Sequence, residues 1–208
     1  MNHLFGWGAL VSLISYFGPS QRPPIKPTND ASIVCWQENR KLNWNDFQAK
    51  VQPETPEVDT TFGIFVGATT EANAVLYELR TDAGKLVKVF VRVEFDTQKS
   101  WVNKVSSFDH PAALRHEQLH FDITELTGRK MRRLLARCAA QHIHYPAAAI
   151  TKQLDEIYDA EDRLDSRYDE EAGFSDLKAQ ARWQVSIKKQ LDALAPYKST
   201  PADCESPQ

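Results

Sequence analysis

The chain has 208 residues, a formal net charge of −3, and 42% hydrophobic and 25% charged residues. That length gives one domain, or a domain with a small appendage, and is enough to bury a core without covalent staples. The charge balance gives no reason to expect nucleic acid as a partner. The short basic run Arg129-Lys130-Met131-Arg132-Arg133 reads as a solvated helix face.

Residues 1–20 differ from the rest. Leu4 to Phe17 is almost wholly apolar and ends at Gly18-Pro19. It resembles the apolar core of a secretory signal peptide and is too short for a spanning helix. Export, to a periplasmic or secreted location with no stable membrane span in the mature chain, is the expectation. No Lys or Arg precedes the stretch and no small-x-small site follows it, so a buried or membrane-associated helix is the competing reading. Pro23, Pro24 and Pro27 mark 21–31 as an extended linker.

Residues 32–195 form the expected domain. Ser32 to Trp36, Thr60 to Val66, Ala74 to Leu79 and Leu86 to Phe95 read as strands, with a loop at Pro53 and Pro56. The last run alternates, with Val87, Val89, Val91 and Val93 on one side. Thr81-Asp82-Ala83-Gly84 is a turn signal, so the last two runs should form a hairpin. After Pro111 the pattern becomes helical: about 111–141, with Gly128 as a kink or early end, then 147–171 and 176–194. The tail 196–208 reads as disordered. Strands followed by helices define an α+β domain, an antiparallel sheet region leading into a helical region. The three cysteines, Cys35, Cys138 and Cys204, show neither metal spacing nor a disulfide framework.

His116-Glu117-Gln118-Leu119-His120 is the stretch that carries chemistry. It reads H-E-x-x-H within the first helix. Side chains four apart on a helix share a face, about 6 Å apart, so two imidazoles can hold one metal ion. The glutamate between them can serve a metal-bound water as general base. Zinc suits such a site, taking three protein ligands and leaving one position open. A metzincin third ligand is excluded, because Ile123 and Leu126 stand where Gly and His are needed.

The second helix offers many carboxylates instead. Glu161-x-x-x-Asp165 resembles the ligand-plus-orienting-acid spacing of thermolysin-like zincins. Level along the hairpin argues for another residue. If the first two helices turn near residue 144 or 145, Asp169 lies level with His120, while Glu161 lies about 12 Å further along. Asp169 is therefore the expected third ligand, with Glu171 and Asp165 as close alternatives. His116, His120 and Asp169 would hold one zinc ion and Glu117 would be the catalytic base of a metallopeptidase acting on a peptide or protein.

Spaced matches over about 40–190 resemble a bacterial family of predicted secreted zinc-dependent proteases, catalogued as a domain of unknown function. They are Leu42-Asn43-Trp44-Asn45-Asp46-Phe47, Ser100-Trp101-Val102, Leu114 to Ile123 around the zinc motif, Tyr168-Asp169 and Gln180-x-x-Trp183. The resemblance implies a soluble exported domain, a zinc site and a peptidase role. Two departures stand out. Leu119 replaces the family's usual Gly, and the stretch after Tyr168-Asp169 has Ala172 and Phe174 at the family's Thr and His positions. If that histidine is the family's third ligand, this chain has lost it; if the aspartate is, the site survives. A catalytically degenerate exported binding domain that keeps a zincin-like fold is accordingly the alternative function.

Overall fold

The structure is a computed structural model. It describes residues 31–50, 58–59, 64–65, 68–82, 85–102, 111–140, 147–172 and 176–205. The apolar N-terminal stretch, the linker up to residue 30, the loop at Pro53 and Pro56, most of Thr60 to Val66, and Phe174 lie outside the described residues.

Sheet and helices follow in the expected order. Strand β1 (Ile33–Cys35) pairs antiparallel with β6 (Lys85–Asp96), which pairs antiparallel with β5 (Ala72–Asp82), in the order β1-β6-β5. The β5/β6 register runs from Ala72↔Phe95 to Asp82↔Lys85, which is the expected hairpin. Two shorter pairs flank it: β2 (Val58–Asp59) with β3 (Ile64–Phe65), and β4 (Ala68–Thr69) with β7 (Trp101–Val102). Helices α1 (Pro111–Ala140), α2 (Ala147–Ala172) and α3 (Leu177–Ala193) complete an α+β fold. Among the described residues no helix is long and apolar enough to cross a membrane.

Helix α1 lies between two cores. On one side Val91, Val93 and Phe95 of β6 meet Phe121, Met131 and Leu135 of α1, joined by Ile150 and Leu154 of α2. Phe95 stands between Phe47 and Phe121, at ring distances of 5.1 and 5.8 Å. On the other side Leu119, Ile123 and Leu126 meet Tyr168 of α2 and Ala179, Trp183, Ile187 and Leu191 of α3. Each large apolar side chain so buried contributes roughly 1.5–3 kcal/mol, so two cores hold α1 more firmly than one.

The burial of α1 overturns three expectations. Gly128 does not end α1, which runs unbroken to Ala140. Its missing side chain lets the helix approach β6, where a Cβ would collide with Val93 Cγ2. The basic run is not a solvated face either. Arg129 is buried, its Nε donating to Glu125 Oε1 at 2.7 Å and Nη1 to the Leu191 carbonyl at 2.7 Å. Arg132 donates to the carbonyls of Val91 (2.9 Å) and Tyr197 (3.1 Å). The tail expected to be disordered is folded up to Glu205, in the 3-10 turns Ala195–Tyr197 and Pro201–Cys204. The reason is buried charge: the Ser199 N–H and hydroxyl donate to the fully buried Glu125 carboxylate, at 3.0 and 2.6 Å.

Replacing a helical glycine by alanine ordinarily gains about 1 kcal/mol. Here the sign should reverse, because overpacking costs about 1–3 kcal/mol. Gly128→Ala should therefore lower the urea midpoint of unfolding. A raised midpoint would show that α1 and β6 have room between them.

Candidate metal centre

The first turns of α1 and the last turns of α2 bring His116, His120 and Asp169 together. His116 Nε2 lies 3.0 Å from Asp169 Oδ1, His120 Nε2 lies 3.0 Å from the same oxygen, and the two Nε2 atoms are 3.0 Å apart. His120 Nδ1 donates to Asp165 Oδ1 at 2.6 Å. A carboxylate only accepts, so this bond puts the neutral ring's proton on Nδ1 and leaves a lone pair on Nε2. That lone pair faces the other two atoms.

Lone pairs converging at this distance repel unless positive charge lies among them. The surrounding charges favour it. Burial opposes protonation of His120, but hydrogen bonds to Asp165 and Asp169 and the charges of Asp165 and Glu117 outweigh it and raise its pKa well above the usual imidazole value. Burial also opposes ionisation of Asp169, yet hydrogen bonds from His116 and His120 hold its carboxyl far below the usual range. A metal cation would serve the same need. In a tetrahedral site with bonds of about 2.0–2.1 Å, ligand atoms lie about 3.3 Å apart, a few tenths of an ångström more than the sides of this triangle. The His116 side chain is 2% exposed and that of Asp169 55%, so the triangle opens to solvent on its α2 edge, leaving room for a further ligand.

Glu117 lies on the same turn as His116 and is buried. Thr70, just after β4, donates its hydroxyl to Glu117 Oε2 at 2.7 Å. Burial raises the Glu117 pKa, against the charges of His120 and His116 and the Thr70 bond; Asp169 adds to the rise. Thr70 carried no sequence signal, because β4 pairs with β7, beyond the β5/β6 hairpin. The other carboxylates weighed for the third position do other things. Asp165 orients His120. Glu171 accepts from Trp183 Nε1 at 3.0 Å. Glu161 is hydrogen-bonded to Thr124 and Thr127, one to two turns along α1, and burial pushes it up to about 8.

Leu42–Phe47, one of the segments that carried the family resemblance, and Trp36 brace the motif helix. Gln118 Oε1 accepts from the Leu42 N–H at 2.9 Å, and its Nε2 donates to Asp122 Oδ1 at 2.9 Å. Asp122 also accepts from Trp36 Nε1 at 2.8 Å. Asn43 and Asp46 cap the 3-10 turn Trp44–Asp46 reciprocally, which holds Leu42 in place. Comparison of the chain with protein-family models, curated proteins and solved structures finds no match.

Two measurements test this arrangement. In chelator competition, Asp169→Ala should weaken zinc binding most. Asp165→Ala should cost about 10–100-fold, the usual effect of losing the group that orients a ligand. Glu161→Ala should leave affinity unchanged, and loss of the metal in that variant alone would put the ligand a turn or more away. The second test concerns pH. Glu161 keeps its proton in the folded chain up to about 8, against a reference of 4.5. The unfolded chain releases that proton first, so stability falls as pH rises between the two values. Glu161→Gln should flatten that decline in urea titrations, and an unchanged slope would assign the decline to other groups.

Proposed function

We propose that this protein is a zinc-dependent metallopeptidase, exported from a bacterial cell. The observation that carries the reading is the equal-sided triangle of His116, His120 and Asp169 with Glu117 beside it. Zinc held there would supply Lewis acidity and lower the pKa of a water toward about 7.

The chain's own residues then have defined tasks. His116 and His120 bind as neutral imidazoles, and Asp165 keeps His120 in the tautomer that presents Nε2. Asp169 neutralises part of the metal charge. Glu117 accepts a proton from the attacking water and returns it to the leaving amine, a role suited to a carboxylate whose burial raises its pKa. Thr70 holds one carboxylate oxygen of Glu117 and so fixes the direction in which the other can act.

A degenerate binding domain is the second reading. Glu117 is 2% exposed, which favours it, because a base must reach the attacking water. Leu119 is neutral between the two: it packs into the α1–α3 core. Glu117→Gln separates them. It should keep zinc and fold while hydrolysis of casein falls by about 10²-fold or more. Equal hydrolysis by variant and parent would remove Glu117 from catalysis. Zinc binding without hydrolysis in the parent would favour the binding domain.

A further inference from the structure

Two thiols far apart in the sequence meet on the outer side of the sheet. Side chains alternate across an extended strand, so Cys35 and Gln37 share a face opposite that of Trp36. Trp36 is buried and reaches α1 through Asp122. Cys35 and Gln37 therefore face away from α1. The C-terminal turn Pro201–Cys204 packs against β6 and delivers Cys204 to that side. Gln37 Nε2 lies 4.0 Å from Cys204 Sγ, and Cys35, two residues earlier on the same face, lies close enough to Cys204 for each thiol to shift the other's pKa.

Both thiols are held. Cys35 is in register with Glu94 of β6. The turn that carries Cys204 is capped, with the Thr200 N–H and hydroxyl donating to Asp203 Oδ2 at 2.6 and 2.8 Å. Just before it, Lys198 pairs with Glu38 at 2.7 Å, and Ser199 is fixed on Glu125. Both cysteines are half-buried, so a reagent can reach them. Cys138 is buried in the sheet–helix core.

We propose that Cys35 and Cys204 form a disulfide that staples the C-terminal segment to β1. The oxidant is another disulfide, RSSR, such as oxidised glutathione or an oxidoreductase dithiol in its oxidised form. The neighbouring Cys35 thiol lowers the Cys204 pKa to about 7, helped by Gln37 and Arg92 and opposed by burial and Asp203. Cys204 is thus the attacking thiolate. It bonds to one sulfur of RSSR and releases RS⁻, which takes up a proton. Cys35 then gives its proton to solvent and attacks Cys204 Sγ, expelling the second RS⁻, also protonated. Two protein thiols and RSSR become one protein disulfide and two RSH. The bridge closes a loop over most of the described fold, the case in which a cross-link restricts the unfolded chain most. It also tethers Ser199 and Tyr197, which serve Glu125 and Arg132. None of this depends on the peptidase reading.

The test uses the full chain, purified reduced and then equilibrated with oxidised glutathione. Free thiols are alkylated in denaturant, and the non-reduced digest is mapped by mass spectrometry. A peptide joining Cys35 to Cys204 is expected, with Cys138 alkylated. The oxidised protein should melt about 5–10 °C above the reduced one. Cys204→Ser and Cys35→Ser should each keep the reduced parent's Tm and lose the response to oxidant, while Cys138→Ser keeps it. If Cys35→Ser does not fold, Cys204→Ser, on the half-exposed turn, gives the same readout. A bridge through Cys138, a bridge between chains, or alkylation of both Cys35 and Cys204 after oxidation would overturn the proposal. So would an oxidant-dependent rise in Tm that survives Cys204→Ser.

Discussion

The fold is organised by the burial of a charged helix. Helix α1 is covered by the sheet on one side and by α2 and α3 on the other, yet it carries His116, Glu117, Glu125 and Arg129, each 3% exposed or less. Ionisable groups removed from water need partners, and losing one member of a buried pair costs roughly 3–5 kcal/mol. The neighbours of α1 are therefore constrained by more than apolar packing. The residue after β4 must bring a hydroxyl to Glu117, the end of α2 a carboxylate to the histidines, and the C-terminal segment a donor pair to Glu125.

These demands divide α1 into two halves with different chemistry. In the second half, Glu125 meets Arg129, the Ser199 N–H and the Ser199 hydroxyl, all within 3.0 Å. Every strong acceptor there has a protein donor, so that network is closed and structural. In the first half, His116, His120 and Asp169 bring three atoms to within 3.0 Å of one another, an arrangement that needs a proton or a metal cation among them, with an edge open to solvent. That half is left electrostatically incomplete. Incompleteness of this kind, in a rigid setting, makes the triangle a candidate metal site, in contrast with the closed network a few turns away on the same helix.

What could be read from the sequence was what depends on local period or on level. Pro111 and the helical repeat placed α1, alternation placed β6, and the hairpin register put Asp169, and not Glu161, beside the histidines. What escaped depends on burial imposed by distant segments. Arg129 read as solvated because charge usually is, and nothing local to it announces that Ser199 and Leu191 close over it. Gly128 read as a weak point because glycine weakens an isolated helix; only the approach of Val93 turns it into a requirement. Thr70 and the Cys35–Cys204 meeting come from strand pairing and chain return, which no spacing encodes. A helical projection of α2 places Asp169 about 100° from the middle of its apolar stripe, which argues against Asp169 as a partner of the histidines.

That last conflict resolves through Tyr168. Consecutive helical residues point about 100° apart, so a residue next to a deeply buried one can lie at the rim of the same interface. Tyr168 is fully buried, stacked on His116 with ring centroids 4.6 Å apart and tilted 5.4 Å from Trp183 of α3. Its burial fixes the rotation of α2 about its own axis. At that rotation Asp169 meets both Nε2 atoms, and Asp165, one turn earlier on the same face, meets His120 Nδ1. Trp183 secures the setting from behind, donating to Glu171 while the Arg167 guanidinium lies 5.0 Å from its ring centroid. The carboxylates owe their aim to an aromatic residue that bears no charge, and α3 contributes to the site by pressing that residue home.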